Sequence, residues 1–168
     1  SGASRGLGKE ISKRLNLLGH ETCGIARDIS SIEGKAYKCD VSCFDQIKEV
    51  SQSIKKDKVK VTGIVNAAGI ASMNLALTTP ADITEKIVKV NLLGTIYCCQ
   101  LFAPLILRNN IGSIVNFSTI AVAIGLKGES VYVASKSGIE GFSRSFAREM
   151  ASFNVRVNCI APGPIDTD

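Results

Sequence analysis

The chain is poor in the residues that hold metals and in the patterns that staple small secreted folds. Histidine occurs once, at His20, tryptophan is absent, and none of the six cysteines stands in a Cys-x-x-Cys pair. A metal centre therefore has no basis in the sequence, and no metal ligand is expected. Cys23, Cys39, Cys98, Cys99 and Cys159 fall inside apolar strand-like or helix-like stretches. Free buried thiols and a reducing compartment, the cytoplasm, are expected from this, with Cys39 and Cys43 close enough in sequence for a redox-sensitive pair. No window approaches a transmembrane span, and no repeat, low-complexity tract or interdomain linker is visible. The net charge of +5 owes much to Lys55-Lys56-Asp57-Lys58-Val59-Lys60, which has no interleaved aromatics. This reads as a solvated corner at a helix end and argues against nucleic acid.

The composition, 45% hydrophobic and 21% charged over 168 residues, is that of one globular domain spanning residues 1–168. Apolar β-branched runs at residues 21–26, 36–41, 61–66, 113–118 and 155–160 read as strands. Helical patterns at 42–55, 81–90, 91–107 and 132–151 fill the gaps, with at most one turn between 27 and 35. The alternation implies an α/β fold, a doubly wound parallel sheet in three α/β/α layers.

At the start, Gly2-x-x-x-Gly6-x-Gly8 leads into an amphipathic helix over residues 9–19. Ile11, Leu15 and Leu18 share a face, and Gly19 closes it. Glycines ahead of a helix allow the backbone to approach a pyrophosphate, which free amides and the helix dipole favour. Such a loop ordinarily follows a strand, and the last residues, 159–168, run into a loop after a strand. A fragment is expected, lacking the first strand and a C-terminal segment, with a targeting peptide left open.

Tyr132 and Lys136 lie four apart at the start of a helical pattern, so phenol and ammonium project from one face. A nearby cation favours phenolate and lowers a phenol pKa from its reference of ~10. The pair suits proton exchange with an alcohol or ketone; the alternative is a chance spacing on a solvated helix.

Gly2/Gly6/Gly8, Asp40-Val41, Asn66-Ala67-Ala68-Gly69, Asn91, Ser118-Thr119, Tyr132-x-x-x-Lys136 and Pro162-Gly163 occur in the order and spacing of the short-chain dehydrogenase/reductases. From end to end the chain resembles the single-domain branch of that family. Residues 113–168 are most similar to 3-oxoacyl-carrier-protein reductases and related carbonyl reductases, whereas residues 70–77 lack the charges typical of the fatty-acid enzyme. The resemblance implies a Rossmann fold in which hydride passes between a nicotinamide and a substrate carbon. It implies Tyr132 as proton donor or acceptor, Lys136 as the cation that lowers its pKa and binds the ribose, and Asn91 as holder of a water beside Lys136 in a distorted helix. The upstream hydroxyl that steadies the substrate oxygen falls on Thr119, or on Ser118 if a bulge shifts the strand by one residue.

The resemblance also assigns Gly2, Ser4, Arg5, Gly6, Leu7 and Gly8 to the cofactor loop. Asp40 and Val41 fall to the adenine, Asn66, Ala67 and Gly69 to the adenosine side, and Pro162, Gly163, Ile165 and Thr167 to the nicotinamide end. Asp40 serves equally as a helix cap and Thr167 as an ordinary loop residue. Where NAD enzymes carry an acid at the end of the second strand, this chain has Arg27. Together with Arg5 it argues for NADPH (NADP) over NADH, with neighbouring Asp28 against; alone, each arginine reads as a solvated charge.

Three functions follow: an NADPH-dependent reductase of a 3-oxoacyl thioester, an NAD(P)-dependent dehydrogenase of a sugar-like or steroid-like alcohol, and a dinucleotide-binding scaffold without turnover. The implied partners are a small carbonyl or acyl thioester substrate, on an acidic carrier protein in the first reading, with no nucleic acid and no membrane. A homodimer or homotetramer is implied through the helix carrying Tyr132. Ile139, Phe142, Phe146 and Met150 offer apolar material either for that interface or for the protomer's own sheet.

Overall fold

Each of the five apolar runs forms a strand, and every pairing is parallel. The computed structural model describes residues 1–109 and 111–167. In chain order it contains α1 (Gly6–Leu17), β1 (Cys23–Ala26), β2 (Lys35–Lys38), α2 (Phe44–Lys56), β3 (Gly63–Asn66) and a 3-10 turn (Ala76–Thr78). There follow α3 (Ala81–Ile87), a π-helical turn (Val88–Leu93), α4 (Gly94–Leu107), β4 (Gly112–Phe117), α5 (Ala121–Ile124), α6 (Ser130–Ala151) and β5 (Val155–Ile160). From Ser1–Ala3 the chain steps outward to β1 and β2, then returns through β3 to β4 and β5. Right-handed connections therefore place α1 on one face and α2, α4 and α6 on the other.

The hydrogen-bonded ladder is in two pieces, β1-β2 and β3-β4-β5, rather than one continuous sheet. Ser1–Ala3 bridges them at one level: Gly2 N donates to Ile25 O, Ser1 N to Val65 O, and Ala67 N to Ser1 O. Beyond that level β1 and β3 flank a cavity of about 560 Å³ reached by Ile11, Leu15, Ile25 and Ile64.

The core lies on the face covered by three helices. Ile47, Val50 and Ile54 of α2, Cys98, Phe102 and Ile106 of α4, and Phe146 and Met150 of α6 pack on Ile64, Ile114 and Val155. Ile139, Phe146 and Met150 are buried within the protomer, so they face its own sheet. α1 ends as expected, with Gly19 at φ +84 and His20 N bonded to Leu15 O. Leu18, however, is exposed, because the helix stops at Leu17 before that residue turns inward. All six cysteines are free thiols, with Cys39, Cys98 and Cys99 buried and the others half-buried.

Two boundaries differ from expectation for local reasons. β2 stops at Lys38 because Asp40 Oδ1 accepts from both the backbone and the hydroxyl of Ser42, turning the chain toward α2. The two helices expected over 81–90 and 91–107 are one continuous run, Ala81–Leu107, with the π turn inside it. Twenty-seven residues long and strongly apolar, this run is by length and composition able to span a membrane, which corrects the expectation that no window approaches such a span. Half of its most apolar window is buried in the fold, where Cys99, Phe102 and Ile106 fill the core.

Candidate active site

α6 brings Tyr132 and Lys136 onto one face, and that face lies along the C-terminal end of β4. Lys136 is 6% exposed and donates from Nζ to Phe117 O at 2.8 Å. Burial pushes its ammonium down to about 8. Tyr132 is shifted the other way: burial is the largest cause, the Glu129 carboxylate adds to it, and a hydrogen bond with Thr119 opposes it. The net result is a phenol above its ordinary value. This corrects the expectation that Lys136 lowers it. Lys136 Nζ stands 5.8 Å from the Tyr132 ring centroid, at the outer range of a cation–π contact, and burial with the Glu129 carboxylate sets the direction of the phenol.

The structure also separates Ser118 from Thr119. Adjacent residues of an extended chain point to opposite sides, and no bulge interrupts the ladder, since Ser118 N continues it to Ile160 O. Thr119 faces Tyr132, and its Oγ1 accepts from Ala121 N at 3.2 Å, fixing the start of α5. Ser118 is 3% exposed and donates to Glu140 Oε1 at 2.6 Å. Its hydroxyl is turned to α6, so Ser118 as the substrate-facing hydroxyl is corrected. Glu140 was not singled out from the sequence; its position one turn beyond Lys136 on the same helix face was the available signal.

Asn91 lies inside the π turn and is fully buried. Its Oδ1 accepts from Ile70 N at 2.8 Å, and its Nδ2 donates to Ile70 O and to Ser135 Oγ. It thus ties the loop after β3 to α6. Gly69 lies over both, its Cβ position 3.4 Å from Asn91 Oδ1 and 3.5 Å from Lys136 Nζ.

Next to this cluster lies a cleft of about 380 Å³. Gly2, Ser4, Arg5, Gly6, Leu7, Gly8, Arg27, Asp40, Val41, Ala67, Gly69 and Thr167 line it, with Ile70 and Val90 beside them. The cavity between the half-sheets is larger, but Arg5, Gly6 and Leu7 of the glycine loop, with Arg27 and Asp40, line the smaller cleft and not that cavity, and Gly69 and Ile70 on its wall touch Lys136 and Asn91, so the smaller cleft is the site. Gly2 adopts φ +72, and a Cβ there would meet the Ala67-Ala68 backbone at 2.7 to 2.8 Å; one on Gly8 would collide with Gly2 O. Arg5 at the N-cap of α1 makes no side-chain cap, and the first turn carries no acid. Ser31 Oγ, bonded to Ser4 O at 2.7 Å, pins the loop. This nest fits the diphosphate of a dinucleotide.

Toward the far end of the cleft, burial acts to raise the Asp40 carboxyl. The Ser42 donors and the Arg27 charge overcome it, leaving Asp40 below its ordinary value. Asp40 therefore turns the chain toward α2 and also lines the cleft. Asp28 bonds its own Ser30 backbone, which holds its carboxyl low. Asn66 departs from its expected place: at 3% exposure its Nδ2 donates to Asn116 Oδ1 and Cys99 Sγ, inside the core and away from an adenosine. Pro162 O accepts from Ile120 N, while Gly163 and Ile165 stand open to solvent after β5.

The family description "short chain dehydrogenase" matches residues 1–168. Carbonyl reductase family member 4 of Xenopus tropicalis is 38% identical over 175 residues, covering 99% of this chain and 74% of the relative. The 3-oxoacyl-[acyl-carrier-protein] reductase of Bos taurus is 34% identical over 176 residues, with the same coverage. Among solved structures, the aldohexose dehydrogenase of Thermoplasma acidophilum superposes with a TM-score of 0.94 at 32% identity, over 99% of this chain and 65% of that one. The chain thus spans about three quarters of these curated relatives and just under two thirds of that structure.

Proposed function

The chain belongs to the short-chain dehydrogenase/reductase family of NAD(P)(H)-dependent oxidoreductases, and from that premise we propose that it reduces a ketone with NADPH, the substrate being a 3-oxoacyl thioester. The observation that carries the reading is the placement of Tyr132 and buried Lys136 on one face of α6, against Thr119 and Phe117 O at the end of β4. A phenol protonated at neutral pH supplies there the proton that reduction of a carbonyl requires. A bound nicotinamide would supply the hydride. Thr119, facing Tyr132, donates to or orients the substrate oxygen, and Tyr132 delivers the proton to it. Lys136, with an ammonium that titrates near 8, is placed to hold ribose hydroxyls and to exchange a proton with the phenol.

Arg5 and Arg27 on one cleft wall support the phosphate-bearing cofactor, and Asp28, occupied by Ser30, does not oppose it. The 3-oxoacyl substrate is supported by the similarity to reductases of that name, and the +5 net charge suits an acidic carrier. A second reading, oxidation of a sugar-like alcohol, is favoured by the similarity to an aldohexose dehydrogenase. It uses the same residues in reverse.

The test is oxidation of NADPH and of NADH by the full-length protein with an acetoacetyl thioester, alongside Tyr132→Phe. The expected outcome is turnover preferring NADPH, lowered on the order of 10³-fold in the variant. Turnover only with NAD and an aldose would replace the first reading by the second.

A further inference from the structure

Three residues of α6 spaced four apart meet three consecutive residues at the end of β4. Tyr132 meets the Thr119 hydroxyl, Lys136 meets Phe117 O, and Glu140 Oε1 receives the Ser118 hydroxyl at 2.6 Å. The first two contacts belong to the site described above; the third lies outside the cleft. Ser118 is buried, and the Glu140 side chain is 29% exposed. Its other carboxylate oxygen stands 3.8 Å from the exposed guanidinium of Arg144, too loose a pair to occupy it. A short hydrogen bond from a buried hydroxyl to a carboxylate belongs to the stronger class, and here it spans 22 residues of sequence to join a strand end to a helix.

We infer that Glu140 is a positioning residue for the reaction, acting through Ser118 to hold Thr119 against Tyr132. Ser118 and Thr119 share one peptide bond and both meet α6, so a bond that fixes Ser118 on Glu140 limits how far Thr119 can shift relative to Tyr132. After Phe117 the ladder continues through Ser118 N to Ile160 O, and the next residues already turn into α5. At this point the strand has β5 on one edge, and the Ser118–Glu140 bond supplies the restraint across the sheet that neighbouring strands cannot. A displacement of the Thr119 hydroxyl by about 1 Å is enough to cost on the order of 100-fold in rate.

The inference rests on the reductase reading, so the experiment has one arm that needs turnover and one that does not. Glu140→Ala and Ser118→Ala each remove the strut, and Glu140→Gln keeps an oxygen that accepts from Ser118. In full-length protein, kcat for NADPH-dependent reduction of the acetoacetyl thioester is expected to fall about 10-fold in both alanine variants with KM for NADPH unchanged. Glu140→Gln is expected to restore it to within about 2-fold. On a Thr119→Val background the effect of Glu140→Ala is expected to vanish, because the strut acts only through that hydroxyl.

The second arm follows the Tyr132 phenol by carbon-13 tyrosine NMR, assigned by its loss in Tyr132→Phe. The groups facing this phenol are Glu129, Thr119 and Lys136; those facing the strut are Arg144 and Cys159. With Thr119 released, the Tyr132 titration is expected to move further up in both alanine variants and to stay in place in Glu140→Gln. A wild-type protein that does not reduce the thioester would overturn the substrate reading while leaving this titration to decide the strut. An unmoved titration in both alanine variants, or a kcat loss that persists undiminished without the Thr119 hydroxyl, overturns the inference.

Discussion

Two clusters of buried polar side chains lie on either side of the junction between α6 and β4, and they are built on opposite terms. In the core, parallel register sets Asn66 beside Asn116, and Asn116 beside Cys159. Asn66 Nδ2 donates to Asn116 Oδ1, Asn116 Nδ2 donates to Ser143 Oγ, and Cys99 Sγ lies against both amides. Every member is neutral, and among the described residues the one buried side-chain atom without a partner is Asn66 Oδ1. At the site, Lys136 is buried and Tyr132 half-buried with less compensation. Both are pushed toward their neutral forms, the lysine down to about 8 and the phenol upward. The first cluster pairs all its buried polar atoms but that one oxygen and binds sheet to helix. The second leaves electrostatic cost in place, which is where proton transfer becomes cheap.

The sharpest way to test the contrast is to remove the charge. Lys136→Met is expected to lower turnover on the order of 10³-fold while making the protein more stable at pH 7, by about 1 to 3 kcal/mol. The sign follows from the lysine's titration. Its folded value of about 8 lies below the ordinary lysine value of 10.5, so between those values the unfolded chain binds more protons. Wild-type stability therefore climbs as pH rises through this window, and the advantage of the methionine variant should shrink between pH 8 and pH 10.5. Thermal melts at pH 7 and pH 10 read this directly. A variant less stable at both would place Lys136 in the paired class.

Removing one hydroxyl from the site has the next largest effect. Thr119→Val, nearly isosteric, is expected to cost about 100-fold in kcat, and Thr119→Ser to remain within about 5-fold because the donor is kept. Melting temperatures of both should stay near wild type. The core cluster should answer in the reverse sense. Asn116→Ala leaves Asn66 Nδ2 and Ser143 with lost partners, so it should cost about 2 kcal/mol in urea unfolding while kcat of the folded protein stays within about 3-fold. A large kcat loss there would mean that the two clusters are coupled through α6.

Most of the fold was legible because it depends on local patterns. The β5 run at 155–160 matched its strand in full, Gly19 ended α1, and the four-residue spacing of Tyr132 and Lys136 put both on one helix face. What escaped depended on partners distant in sequence. The pattern offers two neighbouring hydroxyls, Ser118 and Thr119, but only Glu140, 22 residues on, shows that Ser118 is taken up by the helix and not left to the substrate. Asn66 read as a cofactor residue because nothing nearby reveals Asn116, 50 residues away, as its partner. The direction of the Tyr132 shift escaped for the same reason, since a pair of residues gives charge but not burial. The two helices read over 81–107 proved to be one, because Asn91, a poor helix former, is held there by Ile70 and Ser135 rather than by its own helix.

That last case bears on how this stretch of chain can be edited. The π turn Val88–Leu93 makes room for one more residue than an α-helical path of the same reach, and each helical residue turns the chain by about 100°. Deleting any one of the six would hardly shorten the rod. It would return the run to the α-helical path, so that α3 keeps its alignment and Gly94 stays against Val41, while Asn91 loses the bulge that carries it to Ile70. The extra residue works as a vernier between two neighbours. It allows Asn91 to meet the loop at Ile70 while α4 keeps its own alignment with the sheet.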